Sequence, residues 1–148
     1  MRYFLYGLVL AVAPLAAQAA DLITKTSAHD VPTTIDRLAT AVEGAGAKVF
    51  ARVDHAAGAQ SVQSELRPTQ MLMFGNPKLG TPAMQLSQSA GLDLPLRVVV
   101  YQTEYGDVLL SYHDPISLSE AHGLPTDANV LVKMAGALDK LTNKAISN

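Results

Sequence analysis

The sequence predicts an α+β fold: a two-layer sandwich with helices packed on one face of a mixed, largely antiparallel sheet. Three observations carry this. Residues 21–54 read as strand, helix, strand, and residues 97–112 read as a hairpin around the turn Glu104-Tyr105-Gly106-Asp107. Two helical segments, 31–42 and 131–141, each carry one continuous apolar face that must be buried against something. A terminal hairpin and few crossovers favour antiparallel pairing over a doubly wound parallel sheet.

Residues 1–19 stand apart from that domain. Met1-Arg2 gives a short positive start, Tyr3 to Leu15 is almost wholly apolar, and Ala17-Gln18-Ala19 supplies a small-x-small cleavage pattern. This is the pattern of a secretory signal peptide, cut after Ala19 or Ala20. The apolar run falls short of the ~20 residues a membrane span needs, and Pro14 interrupts its end. Residues 20–148 are enough for a single domain with its own core, exported to the periplasm.

Composition narrows the function. Eleven Lys and Arg against thirteen Asp and Glu leave a net charge of −2, with no basic cluster, which argues against a nucleic-acid partner. No stable membrane insertion is expected once the leader is removed. The chain has no cysteine, which excludes thiol catalysis, iron–sulfur clusters and cysteine-ligated zinc.

Taken in order, Asp21 to Ser27 alternates like a strand. Asp30 is a good N-cap with Pro32 in the first turn, and Val31, Ile35, Leu38, Ala39 and Val42 share a helical face that Gly44 and Gly46 terminate. Lys48 to Asp54 alternates again. Residues 55–68 lack firm periodicity. Met71 to Phe74 is a short buried strand, Thr81-Pro82 reads as the start of a helix, and Gly91 as its close. Residues 97–103 and 108–112 form the hairpin. Ser117-Leu118-Ser119-Glu120 resembles a capping box for a short helix stopping at Gly123. Thr126 or Asp127 would cap the last helix, whose core face is Leu131, Met134, Ala135, Leu138 and Leu141.

The densest punctuation lies at Phe74-Gly75-Asn76-Pro77-Lys78-Leu79-Gly80-Thr81-Pro82. A phosphate loop would need Lys and then Ser or Thr after the second glycine; Thr81 stands at the lysine position and Pro82 removes a donor. Two readings survive. Lys78 beside a helix N-terminus, with Asn76 and Thr81, holds a small anion or carboxylate; or the stretch is a rigid turn with a solvated lysine. In the first case the amides of Ala83 and Met84 are the unpaired donors, and Tyr112, His113 and Asp114 form the second wall.

The histidines are the other candidates. Asp54-His55, His113-Asp114 and Glu120-Ala121-His122 each set a carboxylate near an imidazole, but strand neighbours point to opposite faces and no metal-binding spacing is present. No Gly-x-Ser-x-Gly elbow occurs. No cofactor is specified.

Phe-Gly-Asn-Pro-Lys-Leu-Gly-Thr-Pro-x-Met-Gln at 74–85, Leu-Asp-Leu-Pro-Leu-Arg at 92–97, Ser-Tyr-His-Asp-Pro at 111–115 and His-Gly-Leu at 122–124 resemble the bacterial family called domain of unknown function 302. Leu66-Arg67-Pro68-Thr69 is similar to it too. The resemblance spans residues 20–148 and implies a compact α+β domain, often found alone in secreted bacterial proteins, with no established activity, substrate or cofactor. One departure stands at His113, where the family often has Asn.

Two functions follow as expectations. The first is a non-enzymatic periplasmic domain binding a small anionic ligand or a protein partner, with a homodimer allowed, through Asn76, Lys78, Thr81, Tyr112, His113, Asp114 and His122. The second is an enzyme using His122, Asp114 and Lys78 for acid–base or metal-assisted hydrolytic work. Intact-mass measurement of the chain from a periplasmic extract should give a protein starting at Ala20 or Asp21; Met1 retained on membrane-bound material would refute the leader.

Overall fold

A computed structural model describes residues 22–148; the leader assigned to 1–19 lies outside the described residues. The strands are β1 (Leu22–Ser27), β2 (Lys48–Asp54), β3 (Thr69–Gly75), β4 (Leu96–Gln102) and β5 (Val108–His113). The helices are α1 (Val31–Gly44), α2 (His55–Ser61), α3 (Pro77–Leu86), α4 (Ser117–His122) and α5 (Asn129–Ile146), with a 3-10 turn at Gln88–Leu92. The fold is the expected α+β sandwich.

The five strands lie in the order β1-β5-β4-β3-β2. Every hydrogen-bonded pair is antiparallel, including the expected β4–β5 hairpin, in which Val99 faces Ser111 and Gln102 faces Val108. No parallel pair forms because direction alternates across the sheet: β1, β4 and β2 run one way, and β5 and β3, which separate them, run the other. β2 carries an irregularity between Val49 and Ala51 that shifts its register by one residue and displaces Phe50.

Helix α1 packs against β2, β3 and β4, while α5 packs against α1 and β1. Alternation in the strands then sorts the side chains. Leu72 and Phe74, Val98 and Val100, and Leu110 and Tyr112 point toward the helices and meet Val31, Ile35, Leu38 and Val42 of α1 and Leu138 and Leu141 of α5. The expected α1 and α5 faces are thus the core faces, with Ala39 and Ala135 at their half-buried margins. A second apolar cluster joins Ala83, Ala90, Leu118, Leu124, Leu131 and Met134 beyond the end of the sheet.

Local starts differ from the sequence reading in three places. Helix α3 begins at Pro77, not Pro82, because Asn76 caps it: the Asn76 carboxamide accepts from the Lys78 amide, and Pro77 occupies the first position. Pro82 then lies inside the helix, which ends at Leu86, so Gly91 belongs to the 3-10 turn. Neither α4 nor α5 has a side-chain cap; their N-caps are Ile116 and Ala128. By contrast, Asp30 caps α1 as expected, its Oδ1 accepting from the Thr33 amide at 2.8 Å. The aperiodic 55–68 stretch contains one short helix, α2, capped by Asp54.

Two cations tie the last helix to the first strand and helix. Lys25 Nζ donates to Asp139 Oδ1 (2.7 Å), Thr142 Oγ1 (2.9 Å) and Asn143 Oδ1 (2.8 Å) on α5. Arg37 donates to the carbonyls of Lys144, Ala145 and Ser147, satisfying acceptors that the end of α5 leaves open. The hydrogen bond from Lys25, reinforced by its charge, holds the Asp139 carboxyl below the usual carboxylate range. A lowered folded-state value contributes stability above the ordinary carboxylate pKa, and that contribution is lost as pH falls through the folded value. Melting temperatures of wild type and Asp139→Asn should therefore differ at neutral pH and converge in acid; a gap that persists in acid would contradict this.

Candidate functional site

The two walls expected to enclose one site border two separate clefts, which meet at Leu96. The difference follows from the earlier start of α3. Asn76 uses its side chain and carbonyl on its own helix: Oδ1 takes the Lys78 amide, and the carbonyl takes those of Leu79 and Gly80, each at 2.9 Å. Its Nδ2 donates to the Gly46 carbonyl. The three amides that could have met an anion are all satisfied, and those of Ala83 and Met84 fall in the second turn, inside the helix. Lys78 is exposed and borders neither cleft.

The smaller cleft, about 290 Å3, lies between the 75–81 segment, Phe50 and Pro95. Its walls are Phe50, Leu79, Met84, Leu94, Pro95 and Met134, with Asn76 and Thr81 on the same lining and no charged side chain. The shift in β2 puts Phe50 here: it is 50% exposed instead of covered by α1. Gly75 forms the floor. A Cβ at Gly75 would sit 3.5 Å from Pro95 Cβ and 3.7 Å from Phe50 Cε2, ordinary contact distances, so the glycine leaves space and is not relieving a clash.

The larger cleft, about 810 Å3, opens at the ends of β4 and β5 and is lined by Arg97, His113, Asp114, Ser117 and Glu120 over Leu96 and Leu138. Extending the β4–β5 register two residues past Val99–Ser111 sets Arg97 across from His113. Asp114 turns inward to its own loop, its Oδ1 accepting from the Ile116 amide at 3.0 Å. Tyr112, the residue before His113, points to the opposite face of the sheet; it is buried in the core with the Lys25 ammonium 5.8 Å from its ring centre. Tyr112 is therefore not part of the cleft wall expected for it.

His122 stands beside this cleft with partners that the sequence did not suggest. Its Nε2–H donates to Asp93 Oδ2 at 2.7 Å, and its Nδ1 lies 3.0 Å from Ser89 Oγ. An ionised carboxylate only accepts, so Nε2 carries a proton; on a neutral ring Nδ1 then accepts from the Ser89 hydroxyl. Ser87 Oγ is a further 3.0 Å from Ser89 Oγ, and Asp93 Oδ1 accepts from Arg97 at 3.0 Å. The His122 side chain is 6% exposed. The Gly123 that ends α4 sits at φ 69°, a left-handed conformation that favours glycine and releases the chain right after the histidine. The line Arg97–Asp93–His122–Ser89 joins β4, the 3-10 turn and α4. Among the described residues no three His, Asp or Glu side chains converge as a metal site.

Ser89 and Asp93 were missed because their shared partner, His122, lies about thirty residues away in sequence; Arg97 is only four residues from Asp93, but that spacing by itself did not point to the histidine. Phe50 was missed because alternation alone placed it on a strand face, and the register shift moves it.

Residues 23–141 match the family described as Domain of unknown function DUF302. The fold matches the crystal structure of an uncharacterised conserved DUF302 protein from Bacillus stearothermophilus, with TM-score 0.77 and 20% identity, covering 86% of this chain and 99% of that one. Two curated relatives, each named fluoride-specific ion channel FluC 1, come from Brucella suis biovar 1 (strain 1330) and Brucella abortus biovar 1 (strain 9-941). Each is 41% identical over 112 residues, 76% of this chain, and the match covers 44% and 42% of their lengths. This chain thus spans under half of the curated relatives it matches.

Asp93 holds two partners, so Asp93→Ala should cost more than Ser89→Ala. Urea unfolding should show about 1–3 kcal/mol lost for the former, since His122 is left inside without its acceptor, and within about 0.5 kcal/mol for the exposed serine. Equal losses would mean that the line is not held at Asp93.

Proposed function

From the premise that the chain belongs to the DUF302 family, we propose that it is a non-enzymatic periplasmic binding domain that takes a small molecule with an apolar body between the 75–81 segment and Pro95. The observation that carries this is the cleft of about 290 Å3 whose walls hold no charged side chain. That volume is at the small end of ordinary ligand sites, which are mostly apolar with a few polar groups for orientation. Thr81 supplies the hydroxyl for that purpose on the rim, in place of the Asn76 carboxamide already used as a cap. The small anionic ligand expected from Lys78 finds no set of open amides there. Export rests on the leader pattern in residues 1–19.

We assign the channel activity in the names of the Brucella relatives to the part of those proteins outside the match. No described helix here is long and apolar enough to cross a membrane.

A second reading is favoured by the Ser89–His122–Asp93 line, in which a hydroxyl, an imidazole and a carboxylate stand in the relation that acid–base catalysis uses. It replaces Asp114 and Lys78 of the sequence expectation with Asp93 and Ser89.

Titration with the apolar fluorophore N-phenyl-1-naphthylamine separates the possibilities. Phe50→Ala, at a half-exposed position, should weaken binding about three- to tenfold while leaving the fold intact, and Lys78→Ala should leave it unchanged. No uptake of the fluorophore, or a larger effect from Lys78→Ala, would overturn the apolar pocket. Loss of binding in His122→Gln alone would move the site to the second reading.

A further inference from the structure

The sheet face turned away from α1 and α5 is apolar across its centre. Strand register places Val53, Met71, Val99, Ser111 and Thr24 in one row across all five strands. A second row holds Ala51, Met73, Arg97, His113 and Leu22, and a third holds Thr69, Tyr101, Leu109 and Thr26. An antiparallel sheet with one solvated face alternates apolar inside with polar outside. Here Val53, Met71, Met73, Val99, Tyr101 and Leu109 break that rule together, and none belongs to either core cluster.

We infer that this face is the seat of a second copy of the chain, forming a two-fold dimer in which the two sheets stack. Three features fit a copy of itself. The first is charge: of Lys, Arg, Asp and Glu, register places only two on the face, Arg97, which its own Asp93 neutralises at 3.0 Å, and Lys48, at the β2 corner opposite Gly75 and one row farther from the centre than Arg97. Two such faces therefore meet without like-charge repulsion. The second is symmetry. A two-fold axis along the Val53–Met71–Val99 row lays the Arg97–His113 row of one copy over the Tyr101–Leu109 row of the other. The guanidinium then meets an aromatic face and not its own equivalent. The third is size: five strands about 4.8 Å apart and six residues of about 3.4 Å give a face of about 500 Å2 in plan. A side-chain-studded surface exceeds its plan area, which brings complete cover near the ~800 Å2 per partner of a standard stable interface. Both clefts stay outside this contact except at Arg97 and His113, which would form a shared wall of the larger one.

Sedimentation equilibrium of the chain lacking its leader should give twice the chain mass. Val99→Glu should raise the dimer dissociation constant by about a hundredfold or more with an unchanged far-ultraviolet spectrum. Because the chain has no cysteine, Val99→Cys supplies a thiol near the axis. Under mild oxidation it should cross-link two copies, whereas Val132→Cys, exposed on α5, should not. A monomer at every concentration, a dimer indifferent to Val99→Glu, or cross-linking at position 132 instead of 99 would each overturn the stacked-sheet dimer. If Val99→Glu does not fold, the cysteine pair decides alone.

Discussion

One topological constraint governs the rest of this molecule: β1 and β2 run the same way yet form opposite edges of a five-stranded sheet. The chain between them must pass over three other strands, and it does so as α1. Once α1 lies on β2, β3 and β4, the remaining width over β1 is left for α5. Lys25 and Arg37 then fasten α5 by contacts that only this arrangement brings within reach. Covering one face fully with two helices leaves the opposite face to whatever its side chains attract. The same arrangement pushes α3, the 3-10 turn and α4 past the end of the sheet, where their own small core forms and where both clefts open.

Much of the architecture was legible because it is periodic. The apolar faces of 31–42 and 131–141 and the hairpin at 97–112 depend on repeats of 3.6 and 2 residues, which a sequence displays directly. Helix starts were less legible. Asn76-Pro77 and Thr81-Pro82 are both credible cap-and-proline signals, five residues apart. The first prevails because a helix from Pro77 carries Ala83 into the second core cluster while Asn76 also reaches Gly46 across the loop. The starts of α4 and α5 show the opposite case, where tertiary packing fixes a helix without help from a side-chain cap.

The candidate site was legible in its parts and not in its assembly. Thr81 and the 75–80 segment do line a cleft, and His113 and Asp114 line another, but Leu96 stands between them. His122 was singled out beside Glu120, its neighbour in sequence; its carboxylate partner is Asp93, twenty-nine residues earlier. Helical and strand spacing describe what one element presents. They say nothing about which side chains from three elements will converge on one imidazole.

The two edges of the sheet carry a consequence for how this domain behaves in a crowded compartment. An unpaired strand edge is a template on which further strands can add, and unguarded edges lead to open-ended growth. Here β2 is bent by its register shift at Phe50, and β1 turns Lys25 inward beneath α5. Both devices spoil the straight, uncharged ladder that an incoming strand requires. Edge-to-edge extension of the sheet is opposed at each side, so the stacking proposed for the bare face would end at two copies and not continue strand by strand.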